Sequence, residues 1–270
     1  LAKKKIKKTA SPVKSLKGQE REYQKHLNKL GRAMVKAVRE ELLPYLKANQ
    51  SGYTLDGISD QLGVIYRRLN GLFTGVFTLG FAKITASQMV EKVGNANKNR
   101  FNRSINRATG IDLGSVIQAE GLEDFIASSI NTNVKLISTL PEQYLSQVEV
   151  IVNKGVASGA RYDTIAREIM GKTGANSKLA KRIGVIARNE VQTINSQLTL
   201  RRSSALGIKR GIYRTSEDEK VRTCHRELNG VEYDLVKGAW SKSCKKFIQP
   251  GITDINCRCS YSPVIKMENL

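Results

Sequence analysis

The sequence predicts a mainly α fold: an extended helical body with a small C-terminal α+β module. Three observations predict it. Apolar residues recur at three- and four-residue spacing from about residue 16 to residue 206, the period of helices that bury one face. After Gly207 the texture changes to short β-branched pieces bounded by turn residues, GIYRTSED, GVEYDLV and CRCSYSPV, which read as strands. A hydrophobic fraction of 40% with 6% aromatics leaves few large anchors for one big core, which favours helices in an extended body.

Residues 1–17 read as a basic arm. The body, 18–206, starts with a helix carrying Leu27, Leu30, Met34, Val38 and Leu42 on one face, which Pro44 should kink or end. A second helix is expected from Leu55 to Asn70, punctuated by Gly71, and a third from Leu72 to about Thr109. Leu122–Leu140 should stop at Pro141, and a new helix should start there, because proline suits a first turn. A short helix follows at Asp163–Met170. A long one spans Ser177–Leu206 and is closed by Gly207. The module, 207–270, takes the strands.

The net charge is +21, and residues 1–50 alone carry 14 Lys/Arg against 4 Glu. Such a chain calls for a polyanion or an acidic surface as partner. Lysines and arginines line the helices, for example Lys98, Arg100, Arg103, Arg107, Lys178, Lys181, Arg182, Arg188, Arg201 and Arg202, without interleaved aromatics. That pattern suits non-specific contact with duplex phosphates better than stacking on single strands. No run of about 18 apolar residues occurs, so no transmembrane helix is expected.

All four cysteines fall in the module: Cys224, Cys244, Cys257 and Cys259, with His225 beside the first. In an extended strand, the C-x-C pair at 257 and 259 points to one face, so both sulfurs can reach one ion. A structural Zn2+ takes four N/S ligands. Cys224 and His225 are adjacent and should diverge. The neatest metal set is therefore His225, Cys244, Cys257 and Cys259, with Cys224 as substitute for either of the first two. Reduced half-buried thiols and a Cys224–Cys244 disulfide are the alternatives.

Other motifs are weaker. Arg188 and Glu190 lie two apart on a helix and do not share a face, so Arg188 should pair with a carboxylate on another element or clamp the helix to the module. Glu217-Asp218-Glu219 forms an E-x-E, a pattern used by some ADP-ribosyl transferases and more often a charged turn. A metal-dependent nuclease or transferase built on Glu217, Glu219 and His225 is the enzymatic alternative. A second histidine occurs only at His26, and no P-loop or G-x-S-x-G elbow is present. No catalytic residue is assigned.

Three runs carry a family resemblance: IARNE (186–190), GIYRTSEDEKVRTCHRELNG (211–230) and PG-x4-NCRC (250–259). They resemble the phage Mu F-like head morphogenesis family. Asp218, Val221, Arg222, His225, Leu228 and Gly230, then Asn256, Cys257, Arg258 and Cys259, stand at the matching positions. The likeness extends over about residues 90–263. Some relatives carry cysteine at the positions of Arg222 and His225, which would complete a four-thiol site.

The resemblance implies a non-enzymatic minor head protein of a tailed phage. It would be made in the host cytoplasm and carried in the virion, inside the capsid near the portal. Implied partners are the portal protein, the major capsid or scaffold protein and packaged double-stranded DNA. Implied roles are head assembly and genome ejection.

Overall fold

A computed structural model describes residues 7–49, 55–76, 79–113, 121–171 and 177–266. Helices dominate: α1 (Lys17–Ala37), α2 (Leu43–Ala48), α3 (Leu55–Val76), α4 (Leu79–Thr109), α5 (Glu123–Ala157), α6 (Tyr162–Gly171), α7 (Lys178–Ala205) and the one-turn α8 (Thr223–Arg226). The strands are β1 (Lys7–Thr9), β2 (Arg210–Arg214), β3 (Glu232–Asp234), β4 (Ala239–Ser241), β5 (Lys246–Ile248) and β6 (Ser260–Lys266). The chain is mainly α with a small C-terminal strand region, as its periodicity predicts.

Two compact units are present: Leu1–Arg21 with Gln88–Ser129 and Ala187–Leu270, and Glu22–Ser87 with Ile130–Ile186. The strands begin just past residue 207, yet compactness does not follow chain order. The strand-bearing end shares its unit with the arm, with most of α4 and with the last turns of α7.

In that unit an antiparallel sheet runs in the order β1-β6-β2-β3, and β4 and β5 form a separate hairpin. The arm is not a free tail from Lys7 onward. Lys8 and Thr9 stand opposite Ile265 and Val264, and Ala10, Val13 and Leu16 are buried. Ala10 and Val13 join Phe101 and Ile105 of α4 and Tyr213, Tyr233 and Tyr261 of the sheet in one core. Burying those apolar side chains fixes a segment whose lysines alone would leave it solvated. Arg202, on what reads as a charged face, is 4% exposed. It donates to Asn97, whose amide also donates to Asn195 Oδ1 and Thr199 Oγ1, both at 2.8 Å.

The other unit is built from amphipathic helices. α1 buries Tyr23, Leu27, Leu30 and Met34, and Tyr23 donates to Asn133 Oδ1 of α5 at 3.0 Å. Pro44 does not end the helical path. A π-helical turn at Val38–Leu42 widens it, and Pro44 sits in the first turn of α2, where its missing N–H costs little. Two other expected breaks are absent. α3 runs through Gly71 to Val76, with Leu69 and Phe73 buried four apart on either side. α5 runs through Pro141, because its buried stripe of Ile137, Leu140, Tyr144, Val148 and Val152 continues across it. An interior proline costs about 3 kcal/mol, and several buried side chains at about 1.5–3 kcal/mol each outweigh it.

Candidate metal centre

α7 ends as its sequence predicts. Gly207 takes φ 67°, and the N–H groups of Gly207 and Ile208 close on the carbonyls of Ser204 and Ser203. The chain then enters β2, whose pattern turns Tyr213 into the core. The loop after β2 leads to α8, which buries His225. A second loop, Gln249–Asn256, delivers the C-x-C pair to the same place.

This second loop is held by α7 through amides. Asn189 Oδ1 accepts the Asn256 N–H at 3.1 Å, and Gln192 Nε2 donates to the Cys259 carbonyl at 3.3 Å. Gly251 lies so close to α7 that an added Cβ would meet Gln192 Nε2 at 2.7 Å, and its φ of 73° favours glycine independently. Its N–H donates to Cys257 Sγ at 3.3 Å.

His225, Cys257 and Cys259 are 2%, 5% and 3% exposed, and their ligand atoms all lie within 4.8 Å of one another. Three groups converge on one ring nitrogen. His225 Nδ1 lies 3.4 Å from Cys257 Sγ, 3.5 Å from Cys259 Sγ and 3.2 Å from Tyr213 Oη. The other nitrogen, Nε2, is 2.8 Å from Asp254 Oδ2, and Asp254 Oδ1 takes the Lys246 ammonium at 2.7 Å. A carboxylate on Nε2 holds the proton there and leaves Nδ1 one lone pair. The neighbours also bond one another: Cys257 to Cys259 and to the Gly251 N–H, and Cys259 to Tyr213. His225, Cys257 and Cys259 are also placed so that one cation could be held among them. With metal–sulfur near 2.3 Å and metal–nitrogen near 2.0 Å, tetrahedral ligand atoms sit about 3.5 Å apart, as here.

The protonation pattern is that of a thiolate–imidazolium pair. Hydrogen bonding from Cys259, aided by His225 and the Gly251 N–H, holds the Cys257 thiol well below its usual range. Cys259 is pushed up by its bond to Cys257 and by burial. His225 is raised by Cys257 against the opposing effect of burial, with Asp254 adding. One thiolate forms readily and the second is suppressed by the first. A divalent cation would have to displace the proton that this pair shares.

Cys244 is not at this cluster. It forms a disulfide with Cys224, Cα–Cα 5.7 Å, which joins α8 to the β4–β5 hairpin. Adjacent residues in a one-turn helix diverge, so His225 faces the sulfurs while Cys224 faces Cys244. Thus the structure brings together three of the four expected ligands. Tyr213 and Asp254 carry no sequence signal of the kind that marks cysteine pairs. Arg188 pairs with Glu20 of α1 at 3.2 Å, so its carboxylate partner does sit on another element. In the E-x-E, Asp218 holds Arg258 at 2.6 Å, while Glu217 and Glu219 are exposed.

The family described as Phage Mu protein F like protein matches residues 146–262, a span that contains every residue of this cluster. Residues 146–262 are thus similar to that family, as the motifs at 186–190, 211–230 and 250–259 suggest. A curated protein of Haemophilus influenzae (strain ATCC 51907 / DSM 11121 / KW20 / Rd), named "Uncharacterized protein", is 28% identical over 187 residues. The match covers 68% of this chain and 39% of the relative, so the chain spans about two fifths of that relative's length. No solved structure matches the chain. Among the described residues, no helix is long and apolar enough to cross a membrane.

Proposed function

We propose that this chain is a minor head protein of a tailed phage. It is carried in the virion, inside the capsid near the portal, and acts in head assembly and genome ejection. The observation that carries this reading is the match of residues 146–262 to the Mu F-like family. The family-like residues His225, Cys257 and Cys259 also meet in one buried cluster, as a shared structural core should. The net charge of +21 supports a place beside packaged duplex DNA, whose phosphates would neutralise it. In this reading the protein partners are the portal protein and the major capsid or scaffold protein, and no reaction is catalysed.

The cluster is read as a structural Zn2+ site. Two sulfurs and an imidazole nitrogen are a zinc donor set, and burial suits an ion that holds a fold. Tyr213 Oη supplies the fourth contact in place of Cys244.

Quantitative mass spectrometry of purified particles, before and after genome release, tests the head assignment. A few copies per particle are expected. Copies retained after release place the protein at the vertex, and copies lost with the DNA make it an ejected protein. Absence from both samples refutes the reading.

A further inference from the structure

The loop Thr215–Lys220 borders two cavities that share Ser216 and Arg258 in their walls. The larger, about 640 Å3, lies between the loop, the segment Pro12–Lys17 and α4, and its other cations are Lys14, Lys17, Arg100 and Arg214. The smaller, about 260 Å3, lies against the sulfur cluster and adds Arg188, Lys220 and Arg222. Glu217 and Asp218 are the acids in these walls, and Asp218 is already committed to Arg258. Together the cavities form a cationic track within one compact unit.

The cations divide into two kinds. The arginines are held in place: Arg100 by the carbonyls of Lys14 and Ser15, Arg222 by the Ile255 carbonyl at 2.7 Å, Arg188 by Glu20 and Arg258 by Asp218. A guanidinium fixed through one or two N–H groups keeps others for an incoming oxyanion. The ammonium groups of Lys14, Lys17 and Lys220 have no hydrogen-bond or ion-pair partner among the described residues. They are point charges available to a ligand.

The walls also indicate which anion. No Phe, Tyr or Trp side chain lines either cavity, so unstacked bases find no platform. The apolar side chains are Pro12 and Val221, which is too little for the buried centre of a protein interface. A polyanion recognised through phosphate alone fits what is left.

We propose that this track binds the phosphodiester backbone of duplex DNA. The proposal deepens the DNA contact proposed above and rests on it. It also ties that contact to the metal cluster. Arg258 stands between Cys257 and Cys259, so the cluster sets where the shared arginine sits.

The test is fluorescence anisotropy of the full chain on a labelled 25–30-bp duplex, about three helical turns, across a salt series. Two variants with the same total charge are compared. The track variant is Lys14→Glu, Lys17→Glu and Lys220→Glu. The control, on the other compact unit, is Lys83→Glu, Lys135→Glu and Lys154→Glu, exposed lysines outside both cavities. The track variant should bind at least about 10-fold more weakly near 0.15 M salt, and its slope of log K against log salt should flatten by about three. The control should change less than about 3-fold. Thermal melting of both variants checks that neither is unfolded.

Equal losses in the two variants, or wild-type binding by the track variant, overturn the track and leave the DNA partner standing. No binding by the wild-type chain overturns the DNA partner as well. Displacement of the duplex by polyglutamate at matched charge overturns DNA as the ligand and points to an acidic protein surface.

Discussion

The two compact units are held together in different ways. The helical unit spreads its stability over many similar contacts, such as Leu27, Leu30, Met34, Phe73, Tyr144 and Ile165. The strand-bearing unit has a buried core of its own, with Phe101, Ile105, Tyr213, Tyr233 and Tyr261, and adds to it a few specific contacts: one disulfide, two sulfurs, one imidazole and the glycine that lets their loop approach α7. Its strands are three to seven residues long and cannot bury much by themselves. Specific chemistry reinforces that core. A single change should therefore do far more in one unit than in the other.

The largest effect should come from the cluster. Cys257→Ser is expected to cost more than about 4 kcal/mol, the range of a lost metal site. Chelator should do the same to the wild type and add little to the variant, because both remove one interaction. Thermal melts of the four combinations decide this, and unchanged melting in chelator sinks the zinc reading.

Next comes the disulfide. Replacing Cys224 and Cys244 together with alanine should cost about 3 kcal/mol, as expected for closing a loop of this length. Metal content should stay the same, since neither sulfur belongs to the cluster. Loss of metal in that double variant would restore Cys244 to the ligand set.

Gly251→Ala should cost about 2–3 kcal/mol, read by denaturant midpoint. Left-handed backbone penalises any Cβ by about 1–2 kcal/mol, and contact with Gln192 adds to it. Asp254→Asn should lower metal affinity by about 10- to 100-fold while the ligands remain, the usual cost of a missing outer partner. The variant should also lose an acid sensitivity. Burial raises the Asp254 carboxyl, but Lys246 and His225 together hold it below the ordinary carboxylate range. A depressed folded value gives stability that is present above about pH 4 and is lost as pH falls through the folded value. The wild type should show that loss and Asp254→Asn should not.

In the helical unit, Tyr23→Phe removes the hydrogen bond to Asn133 and should cost about 1 kcal/mol. A cost above that of Gly251→Ala would contradict the contrast between the units.

The same contrast explains what could be read from the sequence. Helices announce themselves through repeated spacing, so α1 and α7 were legible from Leu27, Leu30 and Met34 and from the apolar run in KLAKRIGVIARNEV, whereas the helix expected from Leu72 starts at Leu79. Local signals misled where packing overrode them. Pro141 and Gly71 look like stops, but the buried stripes of α5 and α3 run past them. β1 was hidden because its lysines mask a backbone that pairs with β6, and the apolar residues anchoring it follow the strand.

At the site, C-x-C spacing revealed the Cys257–Cys259 pair because both sulfurs come from one short segment. The partners from elsewhere, Tyr213, Asp254, Asn189 and Gln192, are common residues whose meaning comes from tertiary position. Cys244 was read as a ligand because spacing cannot tell which of Cys224 and His225 turns toward it.

The most direct test is the metal content of the purified chain together with its Cys257→Ser and Cys224→Ala/Cys244→Ala variants. One zinc per chain in the wild type and in the double variant, and none with Cys257→Ser, is the predicted result. A metal-free wild type whose melting ignores chelator, or a double variant that loses its metal, would contradict it.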